Sequence, residues 1–248
     1  VFRDHFSGVA DGYAAYRPHY PDSLFEALAR LAPDTHLAWD CGAGNGQASV
    51  ALARFFTRVV ATDASAQQVA AAEPHDRVTY RVARAEHTDL ESGSAALVTV
   101  AQALHWFDVA SFHQEARRVL APGGVIAEWC YTLMDAPEAP AVAEAVREMD
   151  ARLKSWWPPQ RAHVDARYED LEFPFARIAM DSFVMDAEWT AAQLIGYVAT
   201  WSAVSHYRAQ NDRDPMKDFA RQVEAAWGNT STHRMQWPLA LRVGRAHE

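Results

Sequence analysis

At 248 residues, half of them apolar, the chain carries enough hydrophobic material for the core of one α/β domain of ordinary size. A formal net charge of -9 with no run of Lys or Arg disfavours a nucleic-acid surface, which needs clustered cations to neutralise phosphates. The best apolar run, residues 95–107, is too short to span a membrane and carries Thr99, Gln102 and His105, so a soluble, cytoplasmic protein is expected.

Residues 1–20 are rich in rings and include Tyr13, Tyr16, Arg17, Pro18, Tyr20 and Pro21. The prolines forbid a regular helix there, which suits either a lid over a site or a tail packed on the core. Asp22 reads as the cap of a helix with Leu24, Phe25, Leu28 and Leu31 on one face, stopped by Pro33. A short apolar strand then runs from His36 to Asp40 and breaks into Gly42-Ala43-Gly44-Asn45-Gly46, followed by helical periodicity over 47–56. Alternate glycines allow a tight turn and let a ligand lie against bare backbone, and the following helix aims its amides at it, which makes a nucleotide cradle. A dinucleotide fingerprint would have glycine at 47, where this chain has Gln, and would lack the acid at 40.

Residues 58–63 read as a second buried strand ending on Asp63, 21 residues beyond Gly42 (63 minus 42), where a carboxylate in such sheets accepts ribose hydroxyls. Ser65 with Gln68 forms a capping box for the next helix. Val78, Tyr80 and Val82 alternate as a third strand leading into Arg84-Ala85-Glu86, and residues 96–101 form a fourth that leads into Gln102-Ala-Leu-His105-Trp106-Phe-Asp108. Asp108 caps a helix striped by Val109, Phe112, Ala116, Val119 and Leu120, and residues 125–129 make the fifth strand. Cys41 and Cys130 each lie beside the end of a core strand, as buried reduced thiols rather than a disulfide.

Beyond Trp129 the alternation stops. Val142, Val146, Met149 and Leu153 mark a helix that ends at Trp156-Trp157-Pro158-Pro159, and residues 178–185 read as a sixth strand. Thr190 and Gln193 cap a helix with Leu194, Tyr197, Val198 and Trp201 on its face; Asp214-Pro215 starts another that ends by Gly228. Trp237 to Val243 is the last strand, with Pro238 near its beginning or at a bulge. Strand and helix in alternation imply a Rossmann-like, doubly wound α/β fold with a seven-stranded, mostly parallel sheet and a helical cap. One domain over 1–248 is expected, with a lid at 1–20, a binding core at 30–130, and cap helices in 131–175 and 187–230.

An acid followed by G-x-G-x-G, as Asp40 to Gly46 stand here, resembles motif I of the class I methyltransferases that use S-adenosylmethionine (SAM). The Ala-Gln-Ala-Leu-His-Trp-Phe-Asp and Tyr-Arg-Pro-x-Tyr-Pro segments look like the branch containing the trans-aconitate methyltransferases, and the resemblance covers roughly residues 10–130. It implies SAM as cofactor, held by Asp40, Gly42, Ala43, Gly44, Gly46, Asp63, Ala64 and Gln102, with Ala85 and Glu86 near the adenine. Arg84 stands where relatives commonly carry an acid for the adenine amino group. Tyr13, Tyr16, Arg17, Trp106, Trp129 and Trp201 are the implied lid and acceptor residues.

Methyl transfer needs alignment in a dry pocket, and a base only where the acceptor loses a proton; His105 is the candidate base, against a role in packing. Arg161, Arg167, Arg208 and Arg213 could meet an acceptor carboxylate. The 11 histidines show no metal-ligand spacing. The expected function is methylation of a small molecule, with an organic acid as candidate acceptor; the alternative is a SAM-binding sensor or scaffold without catalysis. No nucleic-acid or membrane partner is expected, and the chain should act as a monomer or weak homodimer.

Overall fold

Strands that are apolar on both faces must be covered by helices on both faces, and this requirement builds the molecule. A computed structural model describes residues 18–246. Helix α1 (Asp22–Leu31) leads into β1 (Leu37–Cys41), then α2 (Gln47–Leu52), β2 (Arg58–Asp63), α3 (Ala66–Ala70), β3 (Val78–Val82), β4 (Ala95–Ala101), α4 (Val109–Val119) and β5 (Leu120–Tyr131). These five strands pair in parallel in the order β3-β2-β1-β4-β5. A long β8 (His233–Arg245) then runs antiparallel to β5 and carries β6 (Ala176–Arg177) on its other side.

Among the described residues the sheet has eight strands rather than the seven expected. The run at 178–185 does not form one strand: Ile178 closes the β6 end with a bond to the Val243 carbonyl, and pairing resumes only at β7 (Val184–Trp189). β7 pairs with the first part of β8, residues 233–238, while residues 239–245 pair with β5. Pro238 sits at that change of partner, inside the strand, where a missing N–H costs the ladder least. Strand β5 also begins earlier than expected, because a shift in register opposite Ala95 and Leu97 absorbs the Pro122–Gly124 turn.

Alternation along the strands splits the core in two. Ala38, Leu97 and Trp129 pack with Phe25, Leu52 and the cap on one face. Trp39, Val98 and Ile126 pack with Phe112, Tyr168 and Phe175 on the other. Each large side chain so buried contributes about 1.5–3 kcal/mol of transfer free energy.

The cap comprises α5 (Pro140–Arg152), a short α6 (Arg161–Asp165), α7 (Ala191–Ala199), α8 (Ser202–Gln210) and α9 (Met216–Trp227). The Thr190 and Gln193 capping box forms in both directions. Trp201 is not on the face of that helix, as its spacing suggested, but precedes α8, its ring against Trp157 and Tyr197. Asp22 likewise lies inside the first turn of α1 behind Pro21, where it pairs with Arg54 instead of capping. Both cysteines are free and buried.

Candidate active site

The glycine loop joins β1 to α2 at the sheet edge where β2 and β4 also end. Gly42, Gly44 and Gly46 all have positive φ, at 70°, 55° and 90°, a region that favours glycine. Their surroundings differ. A Cβ at Gly42 would meet Ala103 at 2.6 Å and one at Gly46 would meet the Tyr80 hydroxyl at 2.1 Å, whereas one at Gly44 finds only Gln68 Oε1 at 3.9 Å. Gly42 and Gly46 therefore let the protein close on itself, and Gly44 presents bare backbone to open space, as a bound nucleoside requires.

Asp63 ties this loop to β2. Its Oδ2 accepts from the Gly44 amide at 2.9 Å and its Oδ1 from the Ser65 amide at 2.8 Å. A carboxylate can accept about four hydrogen bonds, so ribose hydroxyls can be added to the two amides. Ala64 lies half-buried between them.

Asp40, expected to touch the cofactor, is instead wholly buried beneath the loop. Ser49 Oγ donates to its Oδ2 at 2.5 Å and Thr99 Oγ1 to its Oδ1 at 2.9 Å. Burial pushes its pKa up to about 6, against the lowering by Ser49 and Thr99, and Asp63 raises it further. Buried in this way, its side chain can bear on a ligand at the loop through its field. Ser49 and Thr99 were not singled out from sequence, although a Thr in the middle of an apolar strand and a Ser nine residues after Asp40 were the available signals.

Glu86 lies half-buried near the same edge. Burial works to raise its carboxyl, but the Arg84 guanidinium at 3.0 Å and the Asp108 amide at 3.1 Å outweigh it and hold the group below the usual carboxylate range. Arg84, which replaces the expected acid, is thus spent on its neighbour. Ala85 is buried beside it. Asp40, Asp63 and Glu86 all bear on the buried Cys41 thiol, which burial first of all raises well above its ordinary pKa. Three carboxylates around one glycine loop suit a sulfonium and ammonium ligand and oppose a pyrophosphate, so the residues present fit SAM.

The segment after β4 walls the loop. Besides Ala103, Phe107 would lie 2.9 Å from a Cβ on Gly42. Gln102, with φ of 56°, uses its side-chain amide to pair both main-chain groups of Tyr131, so its side chain extends the sheet. His105 and Trp106 occupy a single 3-10 turn, with rings 4.8 Å apart. Burial first, then Arg161 and His163, bring the His105 pKa down to about 3, so the imidazole is neutral.

On the cap side the expectations divide. Trp129 is not a pocket wall: it is fully buried against Tyr20 and Phe25 because it faces the inner side of β5. Trp201 is buried in the same cluster. Arg208 forms a bidentate pair with Asp214 at the surface, and Arg167 and Arg213 are exposed. Arg161 is the cap cation that turns inward, 17% exposed, stacked 4.4 Å over Trp157 with its Nε on Asp165. Tyr13, Tyr16 and Arg17 lie outside the described residues. Just after them, the Pro18 carbonyl accepts from Gln47 Nε2 at 3.0 Å, beside the glycine loop. Among the described residues no helix is long and apolar enough to cross a membrane, and no His, Cys, Asp and Glu cluster gathers to hold a metal.

Comparison with known proteins agrees with this arrangement. Residues 39–127, from β1 to within β5, match the family described as methyltransferase domain. A protein of Dictyostelium discoideum named as a methyltransferase is 32% identical over 92% of this chain and 88% of its own. A solved structure from Anaeromyxobacter dehalogenans, described as a type II methyltransferase, is 42% identical with a TM-score of 0.86, covering 93% of this chain and 98% of that one. A Bacillus subtilis structure at 17% identity and a TM-score of 0.53 shares the fold. Motif, sheet order and relatives together identify the chain as a member of the class I SAM-dependent methyltransferases.

Proposed function

We propose that the enzyme methylates a small organic molecule, with a carboxylate oxygen as the acceptor atom, in the manner of the trans-aconitate branch that its sequence resembles. The observation that carries this reading is Arg161, a cation turned inward over Trp157 and close enough to His105 to depress it. A guanidinium in such a place can take a carboxylate in a bidentate pair, and the aromatic face supplies an apolar wall. A neutral imidazole is consistent with an acceptor that has no proton to give up. The net charge of -9 speaks against nucleic acid as substrate.

In this reading Asp63, Ala64 and the glycine loop hold the ribose and the amino-acid part of SAM, Ala85 and Glu86 border the adenine, and Trp106 lies beside the acceptor. Residues 1–20 form the lid, with Tyr13, Tyr16 and Arg17 closing over the site. The chain acts in the cytoplasm as a monomer or weak homodimer. The test is S-adenosylhomocysteine production from SAM across a metabolite library. Turnover on organic acids that falls in Arg161→Ala is the expected result. Methyl incorporation only into macromolecules overturns the small-molecule reading, and turnover only on phenols or amines overturns the acid.

A further inference from the structure

Tyr168 was not marked by any motif, yet it sits wholly buried beneath the candidate site with its hydroxyl 3.0 Å from Nδ1 of His105. The chain delivers it there at a cost. Arg167 and Tyr168 are two successive non-glycine residues with positive φ, 56° and 60°, a conformation that side chains disfavour and that gathers at functional sites. A buried network holds the strained turn in place. The Tyr168 amide bonds the His163 carbonyl at 2.8 Å, and Arg242 Nη1 bonds the Tyr168 carbonyl at 2.6 Å and the Leu171 carbonyl at 2.8 Å. Arg242 is anchored in turn on Glu128 Oε2 at 2.6 Å, whose other oxygen meets His113 Nε2 at 2.6 Å. Strands β5 and β8 thereby fix the height of one phenol against one imidazole.

Proton bookkeeping then decides the tautomer. Among the described residues, Nδ1 of His105 is the hydrogen-bond partner of the Tyr168 hydroxyl. If Nδ1 carried the ring proton, the phenol would be left as a buried donor with nothing to receive it, which native structures avoid. We infer that Tyr168 is a positioning residue for methyl transfer: its phenol donates to Nδ1 and sets His105 as the Nε2–H tautomer, a hydrogen-bond donor toward the acceptor and not a base. This rests on the reading that the acceptor meets the turn holding His105 and Trp106. A carboxylate loses no proton on methylation, so a fixed donor serves it where a base would be idle.

The test is the nitrogen spectrum of protein labelled with nitrogen-15 histidine, the His105 signals being those lost in His105→Gln. The expected result is a pyridine-type Nδ1 and a pyrrole-type Nε2, unchanged between about pH 6 and pH 8. In Tyr168→Phe the two tautomers should mix while S-adenosylhomocysteine affinity stays within about twofold, and kcat on any acceptor found by screening should fall about fivefold with little change in KM. A pyrrole-type Nδ1 in the unaltered protein overturns the inference, as does an unchanged tautomer in folded Tyr168→Phe. Should that variant not fold, the spectrum of the unaltered protein still decides. The measurement needs neither cofactor nor acceptor, so its failure is distinct from a failure to find an organic-acid substrate.

Discussion

Asp40 is a carboxylate whose burial costs stability. Its pKa is raised from 3.8 to about 6 in the folded chain, so between those values the unfolded chain has given up a proton that the folded one keeps. Stability from this group is therefore full below about pH 4, falls as pH rises toward 6, and stays lowered above it, by about 3 kcal/mol at 1.36 kcal/mol per unit. Asp40→Asn should match the native protein in urea midpoint near pH 4 and exceed it near pH 7.5, yet bind cationic SAM more weakly. Other carboxylates with the opposite slope are common to both proteins and cancel in the difference. A stability gap that stays constant across that pH range would sink the assignment.

Among the elements, the proposed lid is the one expected to respond to binding. The Pro18 carbonyl accepts from Gln47 beside the glycine loop, and the Tyr20 ring packs edge-on against Trp129. If 1–20 is a lid, hydrogen exchange there should slow on adding S-adenosylhomocysteine, and Arg17→Ala should lower turnover; equal exchange with and without ligand would remove the gating role. Strands β1, β2, β4 and β5 could be read from sequence because each carries an apolar run buried on both faces, and β3 from the alternation of Val78, Tyr80 and Val82; the Asp40, glycine and Asp63 spacing marked the loop between them. Strands β6 and β7 could not, because short edge strands carry polar residues and their pairing depends on distant β8. Trp129 was misread since an aromatic at a strand end looks alike whether it lines a pocket or fills the core. Tyr168 left no local trace at all: its position depends on Arg242, 74 residues away, and on a left-handed turn built without glycine.

At the scale of the whole molecule, cofactor binding should be visible as stability. The glycine loop, β2 and the β4 turn meet at one sheet edge, so a ligand bound there adds RT ln(1 + [L]/Kd) to the entire cooperative unit. At a ligand concentration 100-fold above Kd this is about 2.7 kcal/mol, which for a chain of 248 residues corresponds to a rise in Tm of about 5–10 °C. S-adenosylhomocysteine should give that rise and NAD none, since three acids around the loop repel a pyrophosphate. With the ribose placed as proposed, Asp63→Ala removes the acceptor for its hydroxyls, each charge-assisted bond being worth about 1.5–3 kcal/mol. Two such bonds lost lower affinity by at least about 100-fold, so at the same ligand concentration the rise should shrink to about 1 °C. The variant also loses the tie to the Gly44 and Ser65 amides and should melt lower without ligand, which is why the ligand-induced change, and not Tm itself, is the quantity to compare. An equal rise with NAD would contradict the electrostatic account of the cradle, and an undiminished rise in Asp63→Ala would move the ribose away from β2.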